Sequence, residues 1–107
     1  MCTAAWYYGI RMIESWRDNW LADFFERDVP SSHIPADLRD RLFRKLQLID
    51  DATTTADLRV PPGNRFEALS GALAGWYSIR VNQRWRLIFQ WNAGNANRIY
   101  LDDHSYR

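Results

Sequence analysis

The chain has 107 residues, of which 47% are hydrophobic and 15% aromatic, and its formal net charge is +1. That length allows one domain with one modest core, and this composition excludes a disordered chain, which would be poorer in apolar residues. No apolar run of about 18 residues predicts a membrane span, and a single cysteine, Cys2, excludes an internal disulfide, so we expect a cytoplasmic protein.

The N-terminal part of the chain predicts an extension followed by two helices. Residues 1–11 lack clear periodicity, so we expect an extension there and one domain over 12–107. The extension is either a genuine segment or the product of an upstream start codon. Residues 12–16 are a candidate first strand. Asp18 or Asn19 then offers an N-cap for a helix that Val29-Pro30 ends.

A second helix is predicted over about 36–51. Pro35 stands at its start, where the fixed φ and the missing donor of proline are tolerated. One apolar stripe runs along this helix, formed by Leu38, Leu42, Phe43, Leu46 and Ile49.

Beyond a turn at 61–64, the hydrophobic period changes from helical to two, which indicates strands. We expect a short strand near 66–69, a loop at 71–75 and two alternating strands that meet at residues 81–85. A turn at 92–97 then leads to a last strand with Ile99 and Leu101. Two helices followed by strands predict an α+β fold, with both helices packed on one face of a small, mainly antiparallel sheet.

The connection between Val81 and Trp85 decides which side chains share a face. A two-residue loop would place Val81 opposite Arg84 and mix apolar with charged residues. A three-residue turn of Asn82, Gln83 and Arg84 instead gives one apolar face. The register that we therefore predict contains the pairs Val81–Trp85, Ile79–Leu87 and Tyr77–Phe89.

The same register makes Arg80 and Arg86 direct neighbours on the face away from the core. Like charges so placed are unfavourable, and an anion between them would explain the pair. The alternative is two long side chains that extend into water. Residues 58–107 contain seven arginines, no lysine and three acids, giving +4, whereas 1–57 contain seven basic residues and ten acids, giving −3. Arginine suits phosphate and base contacts. Three more arginines extend this candidate patch: Arg65, Arg84 and Arg98.

The C-terminus adds proton-transfer chemistry. His104 follows the last predicted strand, and histidine carries protons near neutral pH, helped by a neighbouring carboxylate. A plain surface histidine is the alternative. Two histidines and one cysteine do not supply a zinc site, and the sequence has no glycine-rich phosphate loop or dinucleotide fingerprint. We expect any chemistry here to need neither metal nor cofactor.

Three segments carry a resemblance to a known family. Residues 57–71 (DLRVPPGNRFEALSG) and 75–89 (GWYSIRVNQRWRLIF) resemble the central part and the hairpin of HigB-like toxins, also called plasmid-killer or GraT-like proteins, of the RelE/ParE superfamily. The ending Asp102-Asp103-His104 is similar to the family's Asp-Tyr-His tail, and residues 12–16 and 49–53 fit as well.

The resemblance implies a RelE-like fold and the toxin role in a bacterial type II toxin–antitoxin system. It further implies ribosome-dependent endonucleolytic cleavage of messenger RNA. The implied partner is a HigA-type helix–turn–helix antitoxin, and the toxin would contact operator DNA only through this antitoxin. Arg86 matches the arginine that stabilises phosphate in RelE-type sites, and Asp102 and His104 match tail residues implicated in cleavage. The candidate catalytic residues are Arg86, Asp102, Asp103 and His104, and the candidate RNA-binding residues are Arg65, Arg80, Arg84, Arg98 and Tyr106.

The chain departs from the family's pattern at three positions. Glu67 and Ser70 stand where some members have histidine and lysine, and Asp103 stands where tyrosine is usual, with Tyr106 as a candidate substitute. The base is then His104 or a carboxylate, and the acid stays open. Two other functions are compatible with the same fold: a non-catalytic inhibitor of gyrase or the ribosome, as in ParE relatives, and a degenerate module that only binds its antitoxin.

Overall fold

We describe residues 13–103 of the chain in a computed structural model. Two α-helices and a four-stranded antiparallel sheet of order β1-β2-β3-β4 form the described part. This confirms the predicted α+β fold. The helices are α1 (Asn19–Arg27) and α2 (Arg39–Asp51), and the strands are β1 (Glu67–Ala68), β2 (Trp76–Arg80), β3 (Trp85–Asn92) and β4 (Asn95–Asp103).

Both helices begin and end close to where the sequence predicts. Asp18 is the N-cap of α1, although its carboxylate pairs with Arg17 at 3.0 Å and makes no cap hydrogen bond. Asp28, with a left-handed φ of 59°, ends α1 just before Val29. A single 3₁₀ turn over Ala36–Leu38 leads into α2, so Pro35 stands directly before the helical segment, as predicted.

The apolar stripe of the second helix lies in the main core. Leu38, Leu42, Leu46 and Ile49 are each at most 2% exposed. They share one cluster with buried residues of the sheet, among them Ile79, Leu87, Phe89 and Ile99. Phe43 is partly buried instead and meets Phe24 of α1 edge to face, with ring centroids 6.2 Å apart. The helices and the apolar face of the sheet therefore enclose a single core.

The predicted hairpin register is confirmed. Tyr77 pairs with Phe89 and Ile79 with Leu87, and the N–H of Val81 donates to the carbonyl of Trp85 at 2.8 Å. The Oδ1 of Asn82 accepts the backbone N–H groups of Arg84 and Trp85, both at 2.8 Å. This asparagine turn closes a three-residue connection and holds the apolar residues of both strands on one face.

Two strand expectations were wrong. The segment after residue 12 forms no continuous strand, and only the isolated parallel bridges Ile13–Ala96 and Trp16–Ile99 join it to β4. Arg98 lies between the two bridges with a φ of 56°, which interrupts regular pairing. The expected turn over 92–97 is also shorter, because Ala93 and Gly94 both have positive φ, a geometry that lets pairing resume at Asn95.

The face of the sheet away from the helices is also covered, so Arg86 does not extend into water, which was the alternative for the Arg80–Arg86 pair. Ile88, Ser78 and Arg86 on this face are only 3%, 1% and 9% exposed. β1 pairs with β2 at the edge of the sheet, and the carbonyl of Arg65 accepts from the Arg86 side chain. Leu69, Ala72 and Leu73 lie around a hollow together with Ser78 and Ile88 of this face. No helix of the described part is long and apolar enough to cross a membrane.

Candidate active site

Arg86 is the centre of the candidate site. Its Nη2 donates to the hydroxyl of Ser78 at 2.7 Å and to the carbonyl of Arg65 at 3.0 Å, and it lies 3.3 Å from Oε1 of Glu67. Burial lowers the pKa of Arg86 and Glu67 raises it, while the nearby Arg80 lowers it again. Its buried Nε has no partner within the described residues. These contacts hold a charged guanidinium, which stays protonated in proteins, in one orientation.

The sheet register aligns the polar residues around Arg86. Glu67 of β1 pairs with Ser78 of β2, Arg80 of β2 pairs with Arg86 of β3, and Arg86 pairs with Asp102 of β4. Directly opposite residues of antiparallel strands share a face, so these residues form one group. The predicted neighbourhood of Arg80 and Arg86 is confirmed, and Asp102 lies on the other side of Arg86. We call this group the site face: Glu67, Ser78, Arg80, Arg86 and Asp102.

A structured loop directs a backbone carbonyl at Arg86. Arg65 has a φ of 49°, so the chain turns sharply there and its carbonyl meets the guanidinium. The preceding Asn64 is fully buried, and its Nδ2 donates to the carbonyls of Leu58 at 3.1 Å and Val60 at 3.3 Å. Buried amide groups need such partners, so Asn64 fixes the loop from within and thereby positions the Arg65 carbonyl.

A hollow of about 310 Å³ lies beside the site face. Glu67, Ser70 and Ser78 contribute its polar groups, and its apolar wall consists of Leu69, Ala72, Leu73 and Ile88. A fixed cation, an adjacent carboxylate and this hollow together suit a substrate with a negatively charged group next to a less polar one.

Sequence comparisons place the chain in a known family. Residues 14–104 match the HigB-like toxin family, described as the RelE-like toxin of the type II toxin–antitoxin system HigB. The chain belongs to this family. As the toxin of a type II toxin–antitoxin system, it has an antitoxin as partner.

Individual relatives of this HigB-like toxin cover nearly its whole length. Toxin HigB-1 of Vibrio cholerae is 52% identical over 95 residues, which are 89% of this chain and all of that protein. An uncharacterised protein of Haemophilus influenzae is 41% identical over 93 residues, 87% of this chain and 92% of its own. Endoribonuclease HigB of Proteus vulgaris is 34% identical over 93 residues, 87% of this chain and 99% of its own.

Two predicted site residues of the HigB-like toxin meet each other rather than Arg86. Asp103 is opposite Trp85, one position out of phase with Asp102, so it points to the other face of the sheet. Its carboxylate binds Arg84 through both oxygens at 3.0 and 2.8 Å, and this contact raises the pKa of Arg84. Arg84 and Asp103 thus form a surface pair at the end of the hairpin.

The other predicted site residues lie at different distances from Arg86. Arg80 lies on the site face. Arg65 offers its carbonyl to Arg86, while its side chain is exposed and its positive charge lowers the pKa of Arg86. Arg98 is four residues from Asp102 along β4, about 13 Å at the usual rise of a strand, and is separate from the site. His104 and Tyr106 lie outside the described residues.

The sequence reasoning missed Glu67 and Ser78 as members of the site. Nothing in the sequence pattern singles out Ser78, which alternates with apolar residues, and Glu67 stands out only as a departure from the family's histidine. The side chain of Glu67 is 58% exposed, so its carboxylate is open to a substrate while it contacts the buried guanidinium. Glu67 and Ser78 are neighbours because β1 pairs with β2. The sequence could not predict this pairing, because a strand of two residues shows no hydrophobic period.

Proposed function

We propose that this chain is a cytoplasmic, ribosome-dependent endoribonuclease that cleaves messenger RNA and is neutralised by a HigA-type helix–turn–helix antitoxin. One observation carries the proposal: Arg86 is a buried, oriented cation with the accessible carboxylate of Glu67 at 3.3 Å. The name of the Proteus vulgaris relative, an endoribonuclease, supports the same chemistry. Contact with operator DNA would occur only through the antitoxin.

The reaction that fits this pair is attack of a ribose 2′-OH on the adjacent phosphate. The 2′ oxygen forms a new bond to phosphorus, and the bond from phosphorus to the 5′ oxygen of the next nucleotide breaks. A base must take the 2′ proton, an acid must protonate the leaving 5′ oxygen, and a cation must stabilise the added negative charge. Arg86 supplies the cation, and because its neighbours already orient it, little reorganisation is needed during the step.

We assign the base to Glu67. Its carboxylate is the exposed partner of Arg86, so a phosphate held at the guanidinium brings the neighbouring 2′-OH within reach of a proton acceptor. His104 then remains as the candidate acid, two residues beyond Asp102, which pairs with Arg86 in the sheet. Histidine can give and take protons near neutral pH, which suits that role.

The deciding experiment combines purified protein, messenger RNA and isolated ribosomes. We expect new RNA 5′ ends only when ribosomes are present, and we expect added antitoxin to suppress them. Cleavage of free RNA at the same rate would contradict ribosome dependence. Growth arrest after expression without any new 5′ ends would instead favour a non-catalytic inhibitor of gyrase or the ribosome.

A further inference from the structure

A second cationic feature lies between α2 and the β2–β3 turn. A hollow of about 370 Å³ opens there, and three of its lining residues come from α2 and the others from residues 63 and 80–83. Its charged side chains are all basic: Arg41, Arg44, Lys45 and Arg80. We call this hollow the basic pocket. A neighbouring hollow shares Arg41 and Arg44 but adds Asp37 and Asp40, so the basic pocket is the part better suited to an anion.

Among the described residues, the arginines of the basic pocket have no carboxylate in direct contact. Within the described part of the chain, no carboxylate oxygen lies within 4.0 Å of the charged groups of Arg41, Arg44 or Arg80. Burial lowers the pKa of Lys45, and the proximity of Arg41 and Arg44 lowers it further. Like charges gathered in this way repel one another, and a bound anion would remove that repulsion.

One cation of the pocket is held by the core of the protein. Nζ of Lys45 donates to Oδ1 of Asn64 at 2.5 Å. Asn64 is fully buried and uses its Nδ2 to bind two backbone carbonyls, so its oxygen is fixed in position. The ammonium of Lys45 is therefore placed at the pocket by a structured loop, unlike a lysine that moves freely in water.

The basic pocket is continuous with the site face through Arg80. Arg80 lines the pocket and is also the direct cross-strand neighbour of Arg86, which puts their Cβ atoms about 5 Å apart. A line of cations thus runs from the buried guanidinium of Arg86 to the surface of α2. A polymer with a charge on every unit would meet this line at successive units.

We propose that the basic pocket binds a phosphodiester group of the RNA backbone, a role that rests on the proposed function. RNA is favoured over an acidic protein segment because the line of cations begins at Arg86, where the reacting phosphate would lie. Three of the four cations are arginines, which bind phosphate through paired N–H groups. The bound phosphate comes either from the messenger or from ribosomal RNA.

The test removes the charge on α2 without touching the site face. The variant Arg41→Glu/Arg44→Glu is compared with Arg39→Glu, an exposed residue of the same helix outside the basic pocket. The probe is a 2′-O-methylated single-stranded RNA, which binds but cannot be cleaved because it lacks a free 2′-OH. Fluorescence anisotropy gives its affinity over a range of salt concentrations.

We expect the double variant to bind the probe about tenfold more weakly at about 0.1 M salt. The slope of log K against log salt should fall by about 0.7, the value for one lost phosphate contact on a single strand. Arg39→Glu should keep the slope of the parent. The milder variant Arg41→Gln/Arg44→Gln should weaken binding in the same way but less strongly. It replaces the double Glu variant if thermal melts show that the charge reversal unfolds the helix.

Co-sedimentation with ribosomes distinguishes the two sources of phosphate. An unchanged affinity for the probe together with about tenfold weaker binding to ribosomes assigns the phosphate to ribosomal RNA and supports the proposal. If the double variant matches Arg39→Glu in both assays, the proposal is overturned. It is equally overturned if only binding to the antitoxin weakens, since the pocket then holds an acidic protein segment. Failure of the proposed function is a separate result, in which the parent chain cuts no transcript.

Discussion

Arg86 combines a structural and a chemical role, because the contacts that orient its guanidinium also bury it. Removing the side chain leaves the Ser78 hydroxyl and the Arg65 carbonyl without their charged donor. We expect Arg86→Ala to lower the free energy of unfolding by about 1–3 kcal/mol, because hydrogen bonds to charged groups contribute on that scale. RNA cleavage should fall about 100- to 1,000-fold. Urea unfolding and single-turnover cleavage measure the two effects.

Arg86→Lys is the matched control, since it keeps the charge but not the forked geometry of the guanidinium. It should recover part of the stability and little of the cleavage. If Arg86→Ala stays fully stable and cleaves RNA at the parental rate, both the burial and the role that we assign to this residue are wrong.

Glu67 should matter for chemistry far more than for folding. Its side chain is largely exposed, so Glu67→Gln should change the free energy of unfolding by no more than about 0.5 kcal/mol. Loss of the proton acceptor should slow cleavage about 100- to 10,000-fold. The measurement is the rate of cleavage on programmed ribosomes, with Glu14→Gln, an exposed glutamate far along the chain, as control. Equal cleavage rates for both variants would mean that Glu67 is not the base and would favour His104 in that role.

At the scale of elements, α2 depends on its buried stripe. Leu42 is fully buried in the core, so Leu42→Ala should lower the free energy of unfolding by about 2–5 kcal/mol through lost burial and a residual cavity. Gln47→Ala, on the exposed side of the same helix, should change it by less than about 0.5 kcal/mol. Urea unfolding gives both numbers. A loss below about 1 kcal/mol for Leu42→Ala would mean that the stripe does not pack as described.

The turn after α2 should be sensitive to acid. Oδ2 of Asp57 accepts the backbone N–H groups of Thr53 at 3.0 Å and Thr54 at 3.3 Å, and these hydrogen bonds lower the pKa of Asp57 below its ordinary 3.8. A carboxylate with a depressed native pKa stabilises the fold above its unfolded pKa, and this contribution is lost as pH falls through the native pKa.

Asp57→Asn should therefore be less stable than the parent at pH 7, and the difference should shrink as pH falls below 3.8. Urea midpoints at several pH values measure it, with the exposed Asp51→Asn as control. A difference that is independent of pH would show that the charge of Asp57 contributes nothing to the capped turn.

The hairpin and the covered face show which elements a sequence determines. The β2–β3 register could be predicted because the six alternating apolar residues of the two strands allow a single arrangement with an unmixed face. The position of residues 65–73 at the edge of the sheet could not be predicted, since β1 has only two residues and both are exposed. The same limit applied to the site: the register gave the neighbourhood of Arg80 and Arg86, but not the burial of Arg86, its contact with Glu67 or its pairing with Asp102.

At the scale of the whole molecule, the family match begins at residue 14, and Ile13 is already part of the core. We retain the prediction that residues 12–107 are the folding unit and that 1–11 are an extension. A chain that begins at Met12 should then melt within a few degrees of the parent, a range that corresponds to about 1 kcal/mol for a domain of this size. Calorimetry of the two proteins is the measurement. A much lower melting temperature would make the first eleven residues part of the domain.

The left-handed backbone at Arg65 limits which residues evolution can place there. Arginine at a φ of 49° carries a steric cost of about 1–2 kcal/mol, which glycine and asparagine largely avoid. A mutational scan of position 65 should therefore accept glycine and asparagine and reject valine and isoleucine, whose branched side chains exclude this conformation and would turn the carbonyl away from Arg86. Arg65→Asn keeps the carbonyl in place while removing the charge. Comparing which substitutions are tolerated at position 65 therefore distinguishes a requirement for this backbone conformation from a requirement for a charge that binds RNA.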